Sequence, residues 1–286
     1  MRFSCSDIEN IIKTDSYTFN IDESTLCALN NILTKLNIKE TISNKKISTQ
    51  YRDKKHVRTL VKSTNLSDTD TTLHNIRRMI NKITEESYSS LCQKIIKEFD
   101  TYEESDIKKI GRPFLDIMSC SSIYSKLYSK LYYEFRNKHP CASTILDEFV
   151  SDFDKTLYIF EYIDPSESYD GYCDCVKKND KKKLVIGLLC HMTNNGLLNS
   201  EYIVSVVTRL QTMILSGDRD TLIEKYEEIT EILYVIFTIS HDILSFTSNW
   251  DTIYKNIEYV TRLSSGNNIS NKIIFRHMDI IDSLNE

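Results

Sequence analysis

Glycine and proline are scarce in this chain, which has 6 glycines and 3 prolines in 286 residues. These two residue types mark most tight turns, so their scarcity argues against a sheet protein with many short hairpins and favours long helices. The phosphate-binding patterns GxxxxGK[ST] and GxGxxG are both absent, which leaves the sequence without a nucleotide-binding motif. We therefore predict an all-α protein that requires no cofactor.

Long apolar runs are missing as well. The longest largely apolar stretch, ILYVIFTI from Ile232, is far shorter than the roughly 20 residues of a membrane-spanning helix. The segment after Arg2 carries charge where a secretory signal has an uncharged apolar core. Eight scattered cysteines lack the spacing of a disulfide framework. We expect no membrane association and a cytoplasmic location, in the host cytoplasm if the Ile-, Lys- and Asn-rich composition reflects a viral gene.

Motifs for metal binding or catalysis are weak. Cys173 and Cys175 form a CDC pair and Cys190 precedes His191, but the CxxC and HxxxH spacings of metal sites are absent. A hydrolase or transferase that uses Cys190 with His191, or Cys173 with Cys175, is the enzymatic alternative that remains open. The favoured prediction is a protein with no catalytic residues and no metal site.

Helical periodicity is the strongest positive signal. Apolar residues recur at helical spacing from Leu73 to Ile83 and again from Tyr88 to Phe99, with Ser67 and Thr84 as expected N-caps. Similar spacing predicts helices near residues 103–119, 121–137, 143–162, 182–193, 199–215, 220–246 (with a break), 250–263 and 270–284. Residues 164–183 are polar and charged, and we predict a long loop there. Consecutive helices with short connections stack as helical repeats.

Two regions differ in character. Residues 1–66 are heterogeneous, and we predict an N-terminal extension that is partly helical and contains a basic linker, ISNKKISTQYRDKKHVR. Residues 67–286 form the predicted repeat domain. The segment ILTKLN from Ile32 resembles MINKIT from Met79 at a displacement typical of two-helix repeats, although a chance match is an open alternative.

The net charge of −5 argues against a surface built entirely for nucleic acid. Basic residues nevertheless form three local clusters. They are Arg52, Lys54, Lys55 and Arg58, then Arg77, Arg78 and Lys82, and finally Lys177, Lys178, Lys181, Lys182 and Lys183. Each cluster fits contact with phosphate or an acidic partner, and each also fits an ordinary solvated surface or a mobile loop.

The segment IRRMINKITEESYSSLCQKI resembles the start of the middle domain of eukaryotic translation initiation factor 4G, where a basic RxxLNKLTPxxF sequence joins the first two helices of a HEAT-repeat domain. The matching positions are Arg77, Ile80, Asn81, Lys82, Ile83, Thr84 and Tyr88. Four later segments resemble the same family in the same order. They are FLDIMSCSSIYSKLYSKLYYEF, LVIGLLCHMTNNGLLNSEYI, EEITEILYVIFTISHDIL and ISNKIIFRHMDIIDSL. The resemblance covers about residue 72 to the C-terminus.

The resemblance implies an all-α, right-handed α-α superhelix of about five HEAT-like antiparallel helix pairs. It also implies a scaffold that binds and stimulates a DEAD-box RNA helicase of the initiation factor 4A type, contacts RNA and recruits mRNA to the ribosome. The expected contacts are the three basic clusters with Lys272 and Arg276 added, while Ile80, Ile83 and Tyr88 are expected to face inward.

Some features depart from the family pattern. Val185 replaces an aromatic residue, Leu188 replaces an acidic one, and residues 137–182 match poorly. The YxxxxLΦ motif that binds cap-binding factor 4E is absent, so a cap-binding subunit would have to dock elsewhere in the N-terminal region. Related middle domains also serve in mRNA decay, splicing and nuclear cap binding. An adaptor of the same fold in one of those processes is therefore the alternative function.

Overall fold

Helices account for every regular element in residues 68–216, 222–264 and 269–285, which are the residues that the computed structural model describes. The helices are α1 (Asp68–Ile80), α2 (Tyr88–Phe99), α3 (Glu104–Met118), α4 (Ser125–Lys138), α5 (Ala142–Leu157), α6 (Tyr169–Asn194), α7 (Ser200–Leu215), α8 (Ile223–Ser245), α9 (Trp250–Thr261) and α10 (Asn271–Asn285). None of these helices is both long and apolar enough to cross a bilayer.

The helices form two layers. In one layer α2, α4, α6, α8 and α10 follow one another, each packed against the next. In the other layer α3 packs between α1 and α5, and α7 packs against α9. Contacts between the layers join α1 to α2, α7 to α8 and α9 to α10. This arrangement confirms the predicted all-α fold, a superhelix of helical repeats, and the ten described helices provide the expected five pairs.

Aromatic side chains fill the core between the first repeats. The ring of Phe135 on α4 lies 4.5 Å from that of Phe99 on α2 and 5.4 Å from that of Phe114 on α3, measured between centroids. Tyr132 is fully buried beside them, and its hydroxyl donates a 2.7 Å hydrogen bond to the carbonyl of Ala142. These contacts tie α2, α3, α4 and the start of α5 together, so the first repeats are held by packing that does not depend on surface charge.

The prediction of a long loop over residues 164–183 is wrong, because α6 begins at Tyr169. Ser168 caps this helix by accepting a hydrogen bond from the amide of Gly171 at 3.1 Å. The first half of α6 has few buried residues, and its lysines pair with acids three residues earlier, as in Lys177 with Asp174. Such pairs and caps support a helix whose sequence lacks a continuous apolar stripe.

Other boundaries differ less. The predicted helix over 143–162 ends at Leu157, and residues 158–168 connect it to α6. No break interrupts α8 between Ile223 and Ser245. Thr84 is not the N-cap of α2, because Ser87 holds that position. The Thr84 hydroxyl instead accepts from the amide of Ser87 at 3.3 Å in the turn before the helix. Ser67 lies outside the described residues.

A Schellman motif ends α6. The amide of Leu197 donates to the carbonyl of Met192 at 2.8 Å, and the amide of Gly196 donates to that of Thr193 at 2.9 Å. Gly196 has a φ of 69°, a left-handed conformation that glycine adopts without a steric penalty. This glycine lets the chain reverse within a few residues and start α7, as a tight repeat requires.

Candidate functional site

The predicted basic contacts of the N-terminal region belong to residues that the structure does not describe. Arg52, Lys54, Lys55 and Arg58 lie outside the described residues, as does the whole predicted extension over residues 1–66. The remaining predicted contacts all lie in described helices or turns, and they fall into three groups with different surroundings.

Arg77, Arg78 and Lys82 are exposed at the end of α1 and in the turn that follows. Ile80 and Ile83 are 1% and 2% exposed, so the predicted inward position is confirmed for these two residues, whereas Tyr88 is only partly buried. Within the described part of the chain these three cations form no ion pair. Positive charge at a helix C-terminus is favourable, which lets this group remain without carboxylate partners.

The lysines of α6 have mostly intramolecular partners. Lys178 pairs with Glu161 at 2.8 Å, and Lys183 pairs with Asp180 at 2.8 Å and with Glu228 on α8 at 3.4 Å. Lys182 is only 8% exposed, so its predicted role as a surface contact is wrong. Lys181 is the member of this cluster that is exposed and has no described ion-pair partner. The cluster therefore presents far less free positive charge than its sequence indicates.

Lys272 and Arg276 on α10 face the acidic side of α8. Lys272 pairs with Glu227 at 3.0 Å, and the Arg276 guanidinium donates to Glu231 through both Nε and Nη2, at 3.1 and 3.0 Å. The guanidinium also lies over the ring of Tyr234 at 4.5 Å. Burial opposes the charge on Arg276, but its hydrogen bonds to Glu231 and the negative charges of Glu231 and Asp279 together outweigh this and raise its pKa. Both cations contribute to α8–α10 packing.

A groove that sequence reasoning missed lies where α2, α4 and the end of α6 meet. It has a volume of about 220 Å³ and is lined by Tyr88, Lys130, Tyr133, Glu134 and Asn195. We call these five residues the tyrosine–lysine groove. Lys126 lies one turn before Lys130 on α4, is exposed and forms no ion pair with a described residue.

Electrostatics and burial shape this groove. Burial, with further contributions from Cys92 and Glu134, raises the pKa of Tyr88, so its hydroxyl stays protonated. Burial also lowers the pKa of His191 on α6, and the charge of Lys126 lowers it further. The Arg136 guanidinium lies 5.5 Å from the centroid of the Tyr133 ring. The groove thus combines aromatic surfaces with Lys130, and Lys126 lies one turn earlier on α4; neither lysine has a described ion-pair partner.

Part of this groove was visible in the sequence. Lys126, Lys130 and Tyr133 follow one another at i, i+4 and i+7, the spacing of one helical face, while Leu127 and Leu131 on the same helix are buried. Two other tyrosines of α4 are packing residues, since Tyr128 is 4% exposed and Tyr132 is fully buried. Tyr133 is 38% exposed and belongs to the groove.

The cysteine alternative finds little support in the geometry. Cys190 is fully buried, and its burial raises the pKa of the thiol to about 12. A nucleophilic cysteine instead requires a thiolate at neutral pH. Cys175 is buried as well. Over the described residues, no group of three or more His, Cys, Asp and Glu side chains is arranged to hold a metal ion.

No protein-family model matches the chain, and no curated protein matches it significantly.

Proposed function

We propose that this chain is a translation-initiation scaffold that binds a DEAD-box RNA helicase of the initiation factor 4A type and contacts RNA in the cytoplasm. The observation that carries the proposal is the exposed basic group of Arg77, Arg78 and Lys82. It lies within the segment that most resembles the factor 4G middle domain, and it forms no ion pair with a described residue. These cations are therefore available to an acidic surface of a partner protein.

The positions of the resembling segments support the same function. The first spans the α1–α2 turn, the second the α3–α4 turn and the third the α6–α7 turn, while the last two lie on α8 and α10. They thus recur along the array, three at turns between consecutive helices and two at the second helix of a pair. Five segments in the same order as in the factor 4G middle domain are a more specific resemblance than any single segment.

A rigid array suits this role physically. A DEAD-box helicase has two lobes whose relative orientation changes during its ATPase cycle. A scaffold that contacts both lobes stabilises one orientation by the difference between its affinities for the two states. The buried Ile76 and Ile80 hold α1 against α2 and α3, so the backbone that carries Arg77 and Arg78 does not need to be ordered on binding.

The test measures the RNA-stimulated ATPase rate of an initiation factor 4A-type helicase with and without the purified chain. We expect stimulation by the chain, and a marked loss of that stimulation in the double variant R77Q/R78Q. The matched control is K108Q/K109Q on α3, which removes two adjacent lysines that pair with Glu104 and Asp106. This control should stimulate as well as the unmodified chain.

Absence of both binding and stimulation would refute the proposal. Equal loss in the two double variants would refute the assignment of the contact to the end of α1, because it would reflect net charge alone. Binding without stimulation would favour the alternative role, an adaptor of the same fold in mRNA decay, splicing or nuclear cap binding.

A further inference from the structure

A second cavity includes residues of the α6 lysine cluster but none of the exposed basic group at the end of α1 and none of the tyrosine–lysine groove. Its volume is about 390 Å³, within the range of roughly 300–1,000 Å³ that small-molecule sites occupy. The last turns of α5, the connecting segment that follows and the first half of α6 enclose it. Phe153, Ile159, Cys175 and Val185 provide its apolar walls.

A buried cation lines this apolar cavity. Lys182 is 8% exposed, and its ammonium donates to the carbonyl of Ile159 and, at 3.2 Å, to Oδ1 of Asn179. The ammonium also lies 4.4 Å from the centroid of the Phe160 ring. An ammonium has three N–H donors, so two acceptors leave one donor without a named partner.

All of these partners are neutral. Glu161 and Glu228 favour the charge of Lys182 from a distance, yet neither forms an ion pair with it. Burial accordingly lowers the pKa of Lys182 below its ordinary value. A buried charge without a counter-ion is costly, and a bound anion would reduce that cost. A ligand that satisfies both the buried cation and the apolar walls carries a negative charge and an apolar part.

We propose that this cavity binds a small amphipathic carboxylate, with the carboxylate on Lys182 and the apolar part against Phe153, Ile159 and Val185. Lys181 lines the cavity and is exposed without a described ion-pair partner, so it adds positive charge at the entrance. Lys178 and Glu161 also line the cavity, where their charges match each other in an ion pair at 2.8 Å. The site is independent of the proposed helicase and RNA contacts.

Titration calorimetry of the full chain with octanoate and with 1-octanol tests this assignment. Octanoate carries the anion and the apolar tail together, whereas octanol carries a similar tail without the charge. We expect octanoate to saturate one site per chain and octanol to bind more weakly. The variant Lys182→Met keeps an unbranched side chain but removes the charge, and it should weaken octanoate binding by roughly tenfold to a hundredfold without weakening octanol binding.

Two further variants keep the test decisive. Thr156→Trp places a large ring at an exposed cavity-lining position and should abolish binding of both probes. Lys155→Met removes an exposed lysine on α5 that pairs with Asp152 and does not line the cavity, so binding should not change. The proposal is overturned if octanoate does not bind, if octanol binds as tightly, or if Lys182→Met and Thr156→Trp both leave octanoate binding intact.

Discussion

Ile80 shows how one residue links the resembling segment to stability. Its side chain is 1% exposed at the end of α1, beside the exposed Arg78. Replacing Ile80 with alanine removes buried methyl and methylene groups, so we expect the free energy of unfolding to fall by about 2–5 kcal/mol. Urea unfolding followed by circular dichroism measures this change. The control Arg78→Ala should alter stability by less than about 0.5 kcal/mol, and a loss of function in Ile80→Ala with unchanged stability would contradict the packing role.

His277 makes stability depend on pH. The ring is 1% exposed on α10, and its Nδ1 lies 2.8 Å from the carbonyl of Ile273, so that nitrogen carries a proton and donates. Burial lowers the pKa of His277, and burial together with Lys126 lowers that of His191. The unfolded chain therefore takes up protons as the pH falls through about 6.5, before the folded chain does.

We accordingly expect the free energy of unfolding to decrease as the pH falls from about 7 to about 5. Urea unfolding at several pH values in this window measures the slope. The variant His277→Met removes one of the responsible groups and should make the slope shallower, even if its stability at pH 7 differs. An unchanged slope in that variant would assign the pH dependence to other groups.

At the scale of elements, alanine substitutions at a glycine inside α6 and at a glycine just after it should change the free energy of unfolding in different directions. Gly196 has a positive φ and open space around its Cα, so Gly196→Ala adds backbone strain without a clash. We expect a loss of about 1–2 kcal/mol in the free energy of unfolding. Gly187 lies inside α6, and an added Cβ would meet Ile239 and Val235 at 3.5 and 3.6 Å, ordinary contact distances.

Gly187→Ala is thus the matched control, and it should preserve or raise stability by up to about 1 kcal/mol because alanine favours helix. Thermal unfolding of both variants provides the comparison. Equal destabilisation by the two substitutions would contradict this prediction, because it would mean that a Cβ does not fit beside Gly187.

The same helix shows what could be predicted from sequence and what could not. Most helices carry an apolar stripe, as in Tyr88 to Phe99, and their existence followed directly from its spacing. The first half of α6 lacks such a stripe because it packs against other helices along only part of its surface. Its stability comes instead from the Ser168 cap and from pairs such as Lys177 with Asp174, which are weak signals in a polar sequence.

At the scale of the whole molecule, charged clusters in the sequence are poor guides to free charge on the surface. Three of the five α6 lysines have carboxylate partners, and Lys182 is buried. Some of these pairs are local, as with Lys177 and Asp174. Others join residues that are distant in sequence, as with Lys178 and Glu161. The tyrosine–lysine groove went unnoticed for the same reason, because three separate helices or their ends supply its lining.

That groove allows a prediction for RNA. Single strands bind where aromatic faces accept bases and free cations accept phosphate. Replacing Lys126 and Lys130 with glutamine removes two charges, so we expect weaker binding of single-stranded RNA and a salt-dependence slope smaller by about 1.4. Fluorescence anisotropy at several salt concentrations measures both quantities. The control K108Q/K109Q should retain the full slope, and an equal decrease in that control would remove the groove from the interface.

The ion pairs between α8 and α10 have a consequence for the geometry of the last repeat. Lys272 and Arg276 are four residues apart, and so are their partners Glu227 and Glu231. The charges on the two helices therefore have the same spacing, and both ion pairs form together at one axial position of α10 relative to α8. Sliding α10 by one residue would turn both cations by about 100° around the helix axis and break both pairs at once. The two ion pairs therefore set the axial register of α10 against α8 in the last repeat. Apolar packing alone specifies this register less sharply.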